Sequence, residues 1–184
     1  RSTQSRSSAA SDVYKRQVVA SPKDNMSSIV DAGRDLANLF KRRCGVGLDI
    51  SNLRPENTPV NNSAGTTTGA WSFADFYSYV CRMVGQNGRR GALMITMDVR
   101  HPDIEKFVKM KHDLTKVTGA NVSIKITDDF MRAVENNNSF VLRFPVDSQP
   151  DNYKTARMID ARRLWGMIVE SATKTAEPGL LMWD

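Results

Sequence analysis

The sequence predicts an α/β fold. Segments with apolar residues at helical spacing alternate with short runs rich in Val, Ile, Leu and Met, and polar stretches punctuated by Gly, Pro and Asn separate them. With 184 residues, 40% of them hydrophobic, the chain can bury a sizeable core, as one domain or as a piece of a larger one.

Residues 1–17, RSTQSRSSAASDVYKRQ, stand outside the alternation. They are rich in Ser and Arg, have almost no apolar periodicity and lack the apolar centre of a signal peptide; SDVYKRQ resembles a translated sequencing adaptor or an expression scar. They read as unstructured, so residues 18–184 carry the fold. Leaving them aside lowers the formal net charge from +6 to +3, because Arg1, Arg6, Lys15 and Arg16 face only Asp12 there.

From Asn25, the positions Met26, Ile29, Val30, Leu36, Ala37, Leu39 and Phe40 recur at helical spacing, with Lys41, Arg42 and Arg43 where cations suit the helix dipole. This predicts a helix over 25–43. GVGLDIS follows as a strand-like run entered through Gly45 and Gly47, and RPENTPVNNSAGTTTG (54–69) reads as a long loop. Loops of about 15 residues in compact domains are usually functional or disordered. Ser72, with Asp75 three residues on, predicts a capped helix carrying Phe73, Phe76, Tyr77, Val80 and Val84, ended by Gly85, Asn87 and Gly88.

ALMITMDV (92–99) predicts a buried strand, and HPDIEKFVKMK a helix with Pro102 near its first position. HDLTKVTGAN is a second polar loop, which Gly119 leaves free to rearrange, before the alternating strand VSIKI (122–126). Thr127 caps a helix to about Glu135, with Asp128 and Asp129 in its first turn. FVLRFPV (140–146) reads as a strand and 148–156 as a polar linker. Asp160 caps a helix with Leu164, Met167, Ile168 and Ala172 inward, and GLLMWD closes the chain as an apolar strand. A strand left uncovered at its far edge predicts a fragment, poorly soluble by itself.

Composition removes several function classes. No run approaches the roughly 18 apolar residues of a membrane helix, and interspersed charges of both signs argue against direct nucleic-acid binding. Two distant cysteines give neither a disulfide framework nor a zinc site, and suggest a cytoplasmic protein. Cys44 lies between an arginine pair that favours its thiolate and a helix end that disfavours it, and reads as a small residue filling a corner. Cys81 reads as core. His101 and His112 have no metal-ligand spacing around them and read as turn or surface residues. No nucleophile elbow and no Walker A loop is present. Glycine-rich backbone near Lys41, Arg54, Arg89 and Arg90, with Thr66, Thr67 and Thr68, suits a nucleotide phosphate, although a bland surface loop fits the same residues.

Six blocks, VVASPKDN (18–25), KRRCGVGLDISNLRP (41–55), VNNSAGTTTG (60–69), GRRGALMITMDVRHPDIEKF (88–107), KVTGANVSIKITDDFM (116–131) and AEPGLLMWD (176–184), together resemble the catalytic chain of ribonucleotide reductase, in its adenosylcobalamin-dependent (class II) form. The resemblance implies a partial ten-stranded α/β barrel, roughly the first of its two five-stranded halves. It implies radical reduction of a ribonucleotide substrate, with electrons from a thioredoxin or glutaredoxin-type reductant, in a homodimer. The catalytic thiols, Asn and Glu would lie outside this chain, which alone would be inactive. Asp24, Lys41 and Arg54 match the site that binds a deoxynucleoside triphosphate effector at the dimer interface. Gly45 matches a glycine whose backbone approaches the substrate ribose, and Lys116, Thr118 and Asn121 belong to the loop that senses the bases. A class I large chain and a non-catalytic nucleotide-binding regulator remain as alternatives.

Overall fold

A computed structural model describes residues 17–61, 63, 65–84, 91–113 and 115–183. In chain order the elements are β1 (Gln17–Ala20), α1 (Met26–Lys41), β2 (Gly45–Asp49), α2 (Ala70–Met83), β3 (Ala92–Asp98), α3 (Ile104–Lys109), β4 (Asn121–Ile126), α4 (Asp128–Glu135), β5 (Ser139–Phe144), β6 (Thr155–Asp160), α5 (Ala161–Thr175) and β7 (Gly179–Met182). The fold is mixed α/β. The adaptor-like residues 1–16, the proposed helix stop at Gly85, Asn87 and Gly88, and Arg89 and Arg90 lie outside the described residues; Gln17 does not, and pairs with Gly45 as the first residue of β1.

Five strands form one parallel sheet in the order β1-β2-β3-β4-β7. The order never reverses. Because β-α-β crossovers are right-handed, a sheet wound in one sense carries all its helices on one face, as in a barrel, and not on both, as in doubly wound folds. The residue alternation agrees. Val46, Leu48, Leu93, Ile95, Met97, Ile124 and Ile126 are buried with Leu36, Phe40, Tyr77, Phe107 and Ile168 from the helices, whereas Gly45, Ala92, Met94 and Asn121, of opposite parity, border an open face.

Local chemistry sets the element ends. The Asn25 side chain accepts from the Ser28 amide at 2.9 Å to start α1, and Arg43, in the left-handed region at φ 60°, ends the turn after Lys41, short of the predicted residue 43. Thr127 and Asp160 cap α4 and α5 as expected. Ser72 does not cap α2. The helix starts three residues earlier, with Gly69 in the N-cap position at φ 92°, and the Ser72 hydroxyl donates back to the Gly69 carbonyl. A non-glycine residue at that φ would be strained, so the chain turns where glycine permits. Pro102 precedes α3 by two residues and does not open it.

The stretch 148–156 is only partly a linker: Thr155 begins β6, which pairs antiparallel with β5 as a two-stranded hairpin outside the main sheet. The sequence Thr-Ala-Arg-Met-Ile-Asp has a weak apolar alternation because most of β6 is exposed. α1 packs on α2 at Gly33, where an added Cβ would stand 2.8 Å from the Phe76 ring, and the buried Tyr77 hydroxyl donates to the Ile29 carbonyl at 3.1 Å.

Candidate functional site

The open sheet face forms a cavity of about 810 Å³ floored by β2, β3, β4 and β7 and rimmed by Thr118, Gly119, Ala120 and Asn121. Small residues make its floor. A Cβ added at Gly45 would meet nothing of the protein closer than Ala92 Cβ at 3.8 Å, so the chain's own packing does not demand glycine there. On the same wall Lys125 Nζ pairs with Asp49 Oδ2 at 2.8 Å and sits 5.4 Å from the Trp183 ring centre.

Two polar loops, one after β2 and one before β4, flank these strands in sequence, and the second rims the cavity. The first runs from Ser51 to Gly69. At its start the Arg54 amide and Nε both donate to Asp24, Nε reaching Oδ1 and Oδ2 at 2.9 Å each, while NH2 donates to the Asp24 carbonyl at 3.2 Å. The pair is about 30% exposed (32% and 29%), a charge-assisted fork at the surface. Lys41 does not join it. It is the last residue of α1, whereas Asp24 precedes that helix; fifteen residues of helical rise put roughly 22 Å between the two ends. Within one chain the structure brings Asp24 and Arg54 together and leaves Lys41 exposed at the far end of α1.

The loop is closed by Asp103, to which the sequence pattern assigns no role. Asp103 accepts from the Glu56 amide at 3.1 Å and from the buried Ala70 amide at 3.0 Å, so one carboxylate grips both ends of the 56–69 segment. Its neighbour His101 is fully buried, not on the surface. The His101 Nδ1 accepts from the Asp103 amide at 3.0 Å, which leaves the ring proton on Nε2, donated to the Leu53 carbonyl at 2.8 Å. Burial pushes the Asp103 carboxyl above, and the His101 imidazole below, their ordinary values. An Asp just before a helix signals a cap; here it makes no side-chain cap bond and reaches across to the loop instead.

A pH dependence follows. A buried histidine whose folded-state pKa is lowered stabilises fully above its unfolded value near 6.5 and loses that contribution as pH falls through the folded value. Unfolding free energies from urea titration should drop on acidification below about pH 6.5, by no more than about 1.4 kcal/mol per pH unit for one proton. His101→Gln should flatten that slope; an unchanged slope contradicts the assignment.

The second loop, 113–120, lies along α2. The Val117 amide donates to Asp75 at 3.0 Å, the Gly119 amide to Ser78 Oγ at 2.9 Å, and Arg82 donates to Thr118 Oγ1 at 2.9 Å. Lys111 Nζ holds the other side, donating to the Val117 and Ala120 carbonyls and pairing with Glu177 at 2.8 Å. Gly119 serves close approach and not freedom: an added Cβ would lie 2.6 Å from the Ser78 carbonyl. Thr118 and Asn121 rim the cavity, but Lys116 does not. Its ammonium turns to Asp113 at 3.7 Å and to the Trp71 ring at 5.7 Å. Cys44 and Cys81 are both buried, as corner and core residues.

Similarity to known proteins settles the ancestry. A family model described as the ribonucleotide reductase barrel domain matches residues 17–184. The chain belongs to that family. Among its relatives are vitamin B12-dependent ribonucleoside-diphosphate reductases of Thermoplasma acidophilum, 32% identical over 88% of this chain and 21% of the relative, and of Mycobacterium tuberculosis, 34% identical over 88% and 23%. A ribonucleoside-diphosphate reductase large chain of Neurospora crassa is 26% identical over 88% of the chain and 20% of the relative. The chain thus spans about a fifth of the length of the reductases it matches. Within the reductase barrel domain, the Asp24–Arg54 fork, the two loops and the open face are the parts this chain supplies.

Proposed function

We propose that the chain is the effector-binding and substrate-floor part of an adenosylcobalamin-dependent ribonucleoside-diphosphate reductase, which makes deoxyribonucleotides for DNA synthesis. The observation that carries this reading is the Asp24–Arg54 fork, set where a buried carboxylate closes the first loop. A carboxylate for a sugar hydroxyl and a guanidinium for phosphate oxygens suit a deoxynucleoside triphosphate. The missing cation is the Lys41 of a second copy. α1 exposes Met26 and Val30, one turn apart, and α2 exposes Phe76, Tyr79 and Met83 at spacings of three and four. Two such faces packed antiparallel would bury these residues and bring each Lys41 to the other chain's fork, twice over in a symmetric dimer.

The five singly wound strands suit one half of a ten-stranded barrel, and Leu180 and Met182, 40% and 71% exposed on the helix side of β7, offer apolar surface for the rest. The substrate ribose would rest against Gly45, with Thr118 and Asn121 above it. Adenosylcobalamin supplies the radical that starts reduction. Among the described residues nothing fits its thiol partner, since neither cysteine lines the cavity. The radical and redox steps, and the thioredoxin or glutaredoxin-type electron supply, fall to residues outside this chain. No described helix is long and apolar enough to cross a membrane, and a cytoplasmic setting suits this chemistry.

The test compares the chain alone with a complete reductase that carries it. With adenosylcobalamin, a dithiol and a ribonucleoside diphosphate, only the complete enzyme should form deoxynucleotide, and its substrate preference should respond to deoxynucleoside triphosphates. Turnover by the 184-residue chain, or indifference of the complete enzyme to effectors, contradicts the reading.

A further inference from the structure

Helix α2 touches both the carboxylate that closes the first loop and the second loop itself. Its first amide, Ala70, is held by the same Asp103 that closes the first loop. One of its stripes, Trp71, Asp75, Ser78 and Arg82 at spacings of four, three and four, meets successive residues of the second loop: Lys116 over the Trp71 ring, the Val117 and Gly119 amides, and the Thr118 hydroxyl. The neighbouring stripe carries the exposed Tyr79, whose ring lies 5.7 Å from the Arg82 guanidinium carbon. A chain of contacts therefore runs from an exposed apolar face through Tyr79 and Arg82 to Thr118 at the cavity rim.

The loop is also held in a conformation it would not choose alone. Val117 is buried and β-branched, yet sits at φ 47°, where such residues are seldom found. Its amide is pinned by Asp75 and its carbonyl by Lys111, so strain is kept in place by surroundings on both sides. An element held this way has a second arrangement available once one pin is withdrawn, and that gives coupling between two sites a physical carrier.

We propose that Asp75, Ser78 and Arg82 are positioning residues that set substrate specificity, transmitting effector and dimer state from α2 to the second loop through the strained Val117–Gly119 segment. The proposal rests on the effector reading above. None of the three residues touches substrate; they act by fixing where Thr118, Ala120 and Asn121 stand over the cavity.

Two readouts on the complete reductase test it. Without nucleotide, hydrogen exchange at Val117 in Asp75→Ala and at Gly119 in Ser78→Ala should quicken about tenfold, the loss of one partly buried hydrogen bond. With nucleotide, the effector-driven change in substrate preference should fall to within about twofold of none, while effector-free turnover and effector Kd move less than about threefold. Arg82→Gln, at an exposed position, should weaken the preference change even if the other variants fail to fold. Unchanged exchange overturns the ladder whatever the effector does. Full effector control retained in all three variants overturns the transmission role but leaves effector binding standing. If the unmodified enzyme binds no deoxynucleoside triphosphate, the effector reading fails, and the transmission proposal is overturned with it even if exchange quickens.

Discussion

Asp103→Ala lowers folding stability by about 2–5 kcal/mol and disorders the first loop. The carboxylate accepts from the Glu56 and Ala70 amides, which belong to opposite ends of the loop, and the second of these is buried. Each buried N–H left without an acceptor costs about 1–3 kcal/mol. Relief of the buried carboxylate's own desolvation, visible in its raised pKa, offsets part of that cost. Gly69 depends on the same contact, since a Cβ there would stand 2.5 Å from Asp103 Oδ2. Asp103→Asn keeps one acceptor and should lose less. Urea denaturation and exchange at Ala70 read the difference; a stability equal to that of the unmodified chain contradicts the clamp.

Asp24→Ala weakens deoxynucleoside triphosphate binding by at least about thirtyfold. The Asp24 carboxylate orients two donors of Arg54, its amide and Nε, and hydrogen bonds to charged groups contribute about 1.5–3 kcal/mol each. Without the carboxylate, the guanidinium keeps only two carbonyl contacts, to residue 24 at 3.2 Å and to Pro59 at 3.4 Å, and loses its charged partner. Calorimetric titration measures the loss. Because the fork is partly solvent-exposed, the substitution should leave stability within about 1 kcal/mol.

Much of this architecture is legible in the residues. Asn25, Thr127 and Asp160 announce three helix starts by side chains that cap them, and the runs at 45–49, 92–98 and 121–126 announce buried strands by apolar alternation. Where local signals mislead, a tertiary contact has overridden them. Ser72 and Asp75 have capping-box spacing, but Asp75 is spent on Val117 and the turn falls to Gly69. His101 looks like a surface turn until Leu53 and Asp103 are seen around it. Strand β6 is missed because its residues face outward and carry little periodicity. The resemblance groups Lys41 with Asp24 and Arg54, yet one helix length separates them within this chain, a distance that motif matching does not register.

That shared site is the central claim, and mixing two defective chains tests it most directly. Asp24→Ala and Lys41→Ala should each weaken effector binding in the reductase dimer by at least about thirtyfold. Mixed in equal amounts and allowed to re-pair, half the dimers combine one of each, and one of their two sites regains both intact partners, so binding should return to about a quarter of all sites. Tight binding retained by Lys41→Ala alone, or no recovery on mixing, contradicts an effector site built across two chains.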